Sequence, residues 1–296
     1  MFIEYVSKKF SSSSLEIIEY ANRIIDEYND EGYKLTLRQL YYQFVARDIL
    51  PNSMRSYKRL GSIINDARLA GMVSWTAIED RTRNLQSLST WNTPADILKS
   101  AAHSYREDLW ETQAYRPEVW IEKEALSGVV SGICEEYRVP YFACRGYTSQ
   151  SEQWAAAMRF KKYRDNGQVP VVLHLGDHDP SGIDMTRDNR DRLRLLSGDD
   201  VEVHRLALNY NQIEQYNPPP NPAKLTDSRA EGYVSEFGHS SWELDALEPR
   251  IITNLIEHQI TMLLLHDEWD KAYEREEKNV RRLYEMAQEF ESRGDG

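Results

Sequence analysis

Three acids, one lysine and one tyrosine carry the chemical possibilities of this chain. Glu122 closes the apolar run "VWIE", and Asp177 and Asp179 follow "VVLHLG" in "GDHDPSG". In an extended segment residues two apart point to the same side, so Asp177 and Asp179 are expected to converge, with Glu122 facing them from a neighbouring strand. Carboxylates gathered without thiols favour Mg²⁺, with Mn²⁺ as a substitute, because a hard ion prefers oxygen and accepts a substrate phosphate as a further ligand. Lys123, beside Glu122, either adds a charge or acts as an acid there, or is simply solvated. The plain alternative for the acids is a capped helix start and a polar turn. His174 and His178 flank the site without making it a zinc centre. His174 alternates with Leu173 and Leu175 as a core residue does, and no third nitrogen or sulfur ligand accompanies it.

The tyrosine stands in "LRQLYYQF", residues 37 to 44. At helical spacing Leu37, Leu40, Tyr41 and Phe44 share the inward face, which makes Tyr41 a core residue. Tyr42 lies off that face, one turn after Arg38, where a phenol meets solvent or a phosphate. By pattern alone it is a nucleophile or a boundary residue.

The elements that must position these groups follow from composition and periodicity. The chain has 296 residues, 41% hydrophobic and 28% charged, the profile of a folded globular protein with room for two cores. No run approaches the ~20 apolar residues of a membrane span, and "MFIEYVSKKFSSSS" lacks the apolar centre of a secretory signal, so a cytoplasmic setting away from membranes is expected. Cys134 and Cys144 form no metal-binding pattern and are expected to be reduced and structural.

Net charge is −12, which at first argues against a nucleic-acid partner. The distribution of charge points the other way: residues 34–83 hold nine basic residues against four acids, +5, leaving −17 for the rest. A basic module joined to an acidic one suits a reader of double-stranded DNA attached to a metal-binding body.

Three helical patterns, over 15–28, 36–48 and 56–71, precede "MVSWTAIEDRTR", which reads as a hairpin. Three helices and a hairpin make a winged-helix arrangement over 1–90. Its third helix carries Arg55, Lys58, Arg59 and Arg68 toward a major groove, and Arg81 and Arg83 lie on the wing. A connector over 91–115 leads to residues 116–296, where continuous apolar strands alternate with helices as in a parallel sheet, followed by a helical C-terminal extension. The fold class is α/β. In such sheets ligands bind beyond the carboxyl ends of the strands, which is where Glu122, Asp177 and Asp179 fall.

These motifs carry a resemblance. "VWIEKEAL", "ACRGYTS" and "HLGDHDPSGIDM" resemble the Toprim domain, a metal-binding module of topoisomerases, primases and nucleases. Together with the upstream "TLRQLYYQF" they resemble the A subunit of topoisomerase VI and the related meiotic double-strand-break transesterase. That family carries its nucleophile on the final tyrosine of a winged-helix motif, which aligns with Tyr42. "GYTS" at 146–149 is similar to the family's Gly-Tyr-Pro turn, and "WELDAL" at 242–247 resembles a late Glu-containing segment. The likeness covers about 34–83 and 116–250. Thr148 replaces the turn proline, the chain is shorter than a typical A subunit, and it contains no ATP-binding region.

The resemblance implies Mg²⁺ on Glu122, Asp177 and Asp179, with Arg38 steadying phenolate or phosphate charge. Tyr42 would form a 5′-phosphotyrosyl end, and a homodimer would set Tyr42 of one subunit against the acids of its mate. A separate ATPase subunit would drive any strand passage. Two rivals stand beside it: a Toprim endonuclease using metal-activated water, and a non-catalytic winged-helix DNA-binding protein.

Overall fold

The serine run ahead of the first amphipathic stretch works as a helix cap. Ser11 Oγ accepts the Ser14 N–H at 3.3 Å and opens α1 (Ser12–Asp30). The computed structural model describes residues 1–79 and 88–294. α2 (Leu37–Ala46) opens on a capping box between Thr36 and Gln39, and α3 (Met54–Leu69) opens at Ser53. Their inward faces meet in one core that includes Ile24, Leu40, Tyr41, Phe44, Leu60 and Ile64. The chain leaves α3 through Gly71 at φ +70°, where a Cβ would stand 2.9 Å from the Glu4 backbone nitrogen, so only glycine fits the turn.

The hairpin expected next does not form over its described part. Residues 72–79 make turns with one isolated bridge, Ile78 to Leu35. Val73 and Ala77 sink into the helical core instead, which buries these apolar side chains without a strand ladder. The rest of that segment, Arg81 and Arg83 included, lies outside the described residues.

After α4 (Pro94–Ser104), β1 (Tyr115–Ile121), α5 (Ser127–Glu136), β2 (Tyr141–Ala143), α6 (Gln150–Asp165), β3 (Val169–Leu175), α7 (Pro180–Ser197) and β4 (Glu202–Ala207) alternate as the sequence predicts. The sheet is fully parallel in the order β2-β1-β3-β4. Alternation sends Val119, Ile121, Val171, Leu173 and Leu175 into a core shared with α5, and Trp120 and Val172 into a second core with Phe160 of α6 and Leu193 of α7. Helices thus cover both faces, which is why the strands read as unbroken apolar runs.

α8 (Tyr210–Tyr216), β5 (Asn221–Pro222), α9 (Ala230–Phe237) and β6 (Ser240–Ser241) lead to α10 (Pro249–Leu263) and α11 (His266–Gly294). The C-terminal helical stretch is therefore broken after Leu263. Gln113 holds the break open, accepting the Leu265 N–H at 2.7 Å and donating to the Leu265 carbonyl at 3.1 Å. No helix among the described residues is long and apolar enough to cross a membrane.

Candidate active site

From β1 the chain crosses one face of the sheet to β2; from β3 it crosses the other face to β4, on the opposite side. The carboxyl ends of β1 and β3 therefore flank the topological switch point, the place where open α/β sheets bind ligands. Glu122 and the loop 176–179 sit there. The Glu122 N–H donates to Leu175 O at 2.8 Å, and Glu122 Oε2 accepts the Asp177 N–H at 2.8 Å. Asp177 Oδ1 accepts the Leu244 N–H at 2.8 Å and pairs with Lys123 Nζ at 2.9 Å.

Asp179 goes elsewhere. Its Oδ1 caps α7, accepting the Gly182 N–H at 2.6 Å and the Ser181 hydroxyl at 2.9 Å, with Lys224 Nζ 3.7 Å from Oδ2. The strand ends at Leu175, so the chain is already turning at Asp177 and the two-residue alternation no longer applies. The loop is also tight: a Cβ on Gly182 would fall 2.2 Å from the Asp177 carbonyl oxygen. Gly182→Ala is accordingly expected to push the Asp177 backbone aside and cost about 1–3 kcal/mol or more, read by urea unfolding. A variant as stable as the parent would mean that the loop yields freely.

The segment 242–246 completes the site. Trp242 and His178 exchange backbone hydrogen bonds at 2.8 and 2.9 Å, which pins Glu243 and Asp245 beside the loop. Lys123 Nζ then lies 3.0 Å from Glu243 Oε2 and 2.9 Å from Asp245 Oδ1. Arg38 of α2 reaches the same two carboxylates, its Nε 2.8 Å from Asp245 Oδ2 and its Nη2 against Glu243. Burial opposes the charge on Lys123, yet Asp245, Asp177 and Glu243 together hold its pKa above the usual lysine value. Burial likewise disfavours the Glu243 anion, but Lys123 and Arg38 win and pull its pKa down to about 2. Asp177 is pushed up to about 7 because burial outweighs Lys123. Sequence reasoning left Glu243 and Asp245 out of the site; their spacing within "WELDAL" was the available signal.

Tyr42 is as buried as Tyr41, each 4% exposed, which corrects the expectation of a solvent-facing phenol. Tyr42 stands outside the helical core that takes Tyr41, because α2 docks by its outer side on the turn at 244–246. Tyr42 Oη is 3.5 Å from Arg38 Nη2. It lines an open cleft of about 260 Å³ with Arg38, Asn52, Tyr57, Asn221 and Glu243. Burial first, then Asp245 and Glu243, raise the phenol's pKa above its ordinary value, with Arg38 opposing, so the hydroxyl is neutral in this arrangement. Arg38 is engaged with carboxylates rather than free to steady a phenolate.

Of the basic residues on α3, Arg55, Lys58 and Arg59 are exposed. Arg68, expected to face DNA with them, is turned to Trp75 instead: it donates to Trp75 O at 2.7 Å and lies 4.8 Å from the Trp75 ring centre. His174, its Nδ1 2.8 Å from Thr186 Oγ1, is the core histidine expected, driven down to about 3 by burial. His178 is buried among Tyr233, Phe237 and Trp242.

For Mg²⁺ the donor chemistry is suitable but the arrangement is not. Among the described residues no three His, Cys, Asp or Glu side chains come together as one metal-holding group. Asp179 is spent on α7 and Asp177 on Lys123 and the Leu244 N–H. No protein-family model matches the chain, and no curated protein matches it.

Proposed function

We propose that this chain cleaves DNA by transesterification at Tyr42. In this reading 1–90 is a DNA-binding unit built on three helices, whose wing would have to come from outside the described residues, 91–115 a connector, and 116–296 a Toprim-like body with a helical extension. The observation that carries it is the shared ion network: Arg38 and Lys123, from the tyrosine helix and from the end of β1, hold the same Glu243 and Asp245. Tyr42 thereby stands beside Glu243 and Asp245 of its own chain.

A DNA phosphate entering the cleft competes with Glu243 for Arg38. Losing that partner lets the Glu243 pKa rise toward the ordinary range, which makes it a better base. The Tyr42 oxygen bonds to phosphorus, its proton passes to Glu243, and the P–O3′ bond breaks. The 3′-oxygen takes up the proton that Glu243 received and leaves as an alcohol, and Arg38 and Lys123 offset the charge that builds on the phosphoryl oxygens. Mg²⁺ or Mn²⁺ belongs to the proposal only through the oxygen donors of these carboxylates. A homodimer on double-stranded DNA would cut both strands, with a separate ATPase required only for strand passage.

Incubation with supercoiled plasmid and Mg²⁺, followed by denaturant with and without protease, tests the reading. Broken DNA that enters the gel freely only after proteolysis is expected. The burial of Tyr42 favours the hydrolytic rival, for which cut DNA runs freely without protease; plasmid bound but uncut would point to the non-catalytic reading.

DNA affinity is expected to reside on α3. Reversing Arg55, Lys58 and Arg59 to Glu should weaken binding and flatten the slope of log K against log salt by about 0.9 for each phosphate no longer neutralised. An unchanged slope would move the DNA path off this helix.

A further inference from the structure

The ammonium of Lys123 sits among three carboxylates that arrive from two distant segments. Its distances are 2.9 Å to Asp177, 3.0 Å to Glu243 and 2.9 Å to Asp245. The Asp245 side chain is fully buried, and the Asp177 side chain is 11% exposed. A divalent ion ligated by these oxygens would need them to close to about 2.0–2.2 Å around a single point, and the ammonium already stands between them. Lys123 follows Glu122 directly, and Glu122 is fixed by its backbone bond to Leu175 and its side-chain bond to Asp177, so the root of the lysine is anchored at the end of β1. Arg38 supplies a second positive charge to Glu243 and Asp245. The three carboxyl groups thus already meet two positive charges before any metal arrives. The remaining acid of the loop, Asp179, is held by the first turn of α7.

We infer that Lys123 is the resident cation of this acid cluster, and that the DNA-free protein takes up no divalent ion there because the ammonium fills the position. The inference concerns only the cation requirement of the site and is independent of whether Tyr42 attacks DNA. A divalent ion and the ammonium repel each other and share the same oxygens, so they compete. Removing the ammonium leaves three carboxylates facing one another, which destabilises the protein and creates the metal site that the native chain lacks.

Lys123→Met tests this, since it keeps the aliphatic stem and deletes the charge. Thermal melting of the DNA-free wild type is expected to be unmoved by millimolar Mn²⁺. The variant should melt lower in the absence of metal and recover with Mn²⁺, binding it at least about tenfold more tightly than wild type. Adding Asp177→Asn to the variant should abolish the recovery. A folded variant that gains no Mn²⁺ affinity overturns the inference. Electron paramagnetic resonance of Mn²⁺ with wild-type protein decides the matter even if the variant fails to fold. An undiminished signal of free Mn²⁺ supports the inference; one tight site that disappears in Asp177→Asn overturns it. The plasmid assay above reads tyrosine chemistry and stays separate from each of these outcomes.

Discussion

Tyr42→Phe is expected to abolish the covalent protein–DNA adduct while leaving the fold and DNA binding in place. The substitution removes one oxygen and keeps the ring, so packing along the outer side of α2 is preserved. The neighbours of that oxygen do not depend on it: Arg38 and Glu243 remain paired, and Arg38 stays on Asp245. The change in stability should therefore stay within about 1 kcal/mol, the net worth of one ordinary hydrogen bond. Tyr41→Phe gives the opposite pattern. The Tyr41 hydroxyl accepts the Ser53 N–H at 2.7 Å and donates to the Ser53 carbonyl at 3.0 Å, fastening the start of α3 to α2. Its loss leaves a donor and an acceptor without their partner and should cost about 1–3 kcal/mol, with adduct formation retained. Denaturing gels and urea unfolding of both variants separate the two roles. An adduct that survives in Tyr42→Phe would remove Tyr42 as the nucleophile, and one that vanishes only in Tyr41→Phe would transfer the role to its neighbour.

Why one tyrosine was legible and its surroundings were not is a matter of range. Helical phase reports which side of α2 faces its own core, and it separated Tyr41 from Tyr42 on that ground. It says nothing about what docks on the other side, and so the burial of Tyr42 against the 244–246 turn was out of reach. The strands were legible because helices cover both faces of the sheet, leaving apolar runs that punctuation divides cleanly. Their order was not, and order is what makes the ends of β1 and β3 a switch point.

Asp179 shows two local rules in competition. Asp177 and Asp179 read as a metal pair if the strand continues, yet Asp179 followed by Pro180 is also the signature of a helix start, and the cap prevailed. Glu243 and Asp245 gain their meaning only from Lys123 and Arg38, 120 to 207 residues away along the chain. Arg68 illustrates the converse: a basic residue on a helix that the sequence leads one to expect at DNA, it is consumed by Trp75 seven residues later.

Arg205 is the residue whose importance the sequence concealed most completely, and Arg205→Met is expected to destabilise the protein by at least about 3 kcal/mol, since several carbonyls would lose their donor at about 1–3 kcal/mol each. In the sequence it is one charged position in a strand; in the fold its guanidinium reaches under the switch-point loop. It donates to the carbonyls of Gly176 at 3.0 Å, Asp177 at 2.6 Å, Gly182 at 2.8 Å and Leu208 at 3.2 Å, and to Thr186 Oγ1 at 2.9 Å. One planar fork thus ties the loop after β3 to the first turn of α7 and to the end of β4. Methionine fills much of the volume but offers no donor. Lysine restores the charge without the fork, so Arg205→Lys should recover only part of the loss. Burial pushes the pKa of Arg205 down to about 10 while Glu122, Asp177 and Asp179 oppose it. Arg205 is then charged in folded and unfolded chains alike across roughly pH 6 to 8 and adds no slope of its own; Asp177, pushed up to about 7, loses the favourable charge of Arg205 in Arg205→Met, so the loss should grow as pH rises through that window. Urea unfolding of the variants at the two ends of the window measures both claims. A methionine variant as stable as wild type would mean that the loop keeps its shape without the fork, and that Asp177 and the cap of α7 are positioned by the glycines and the 242–246 segment alone.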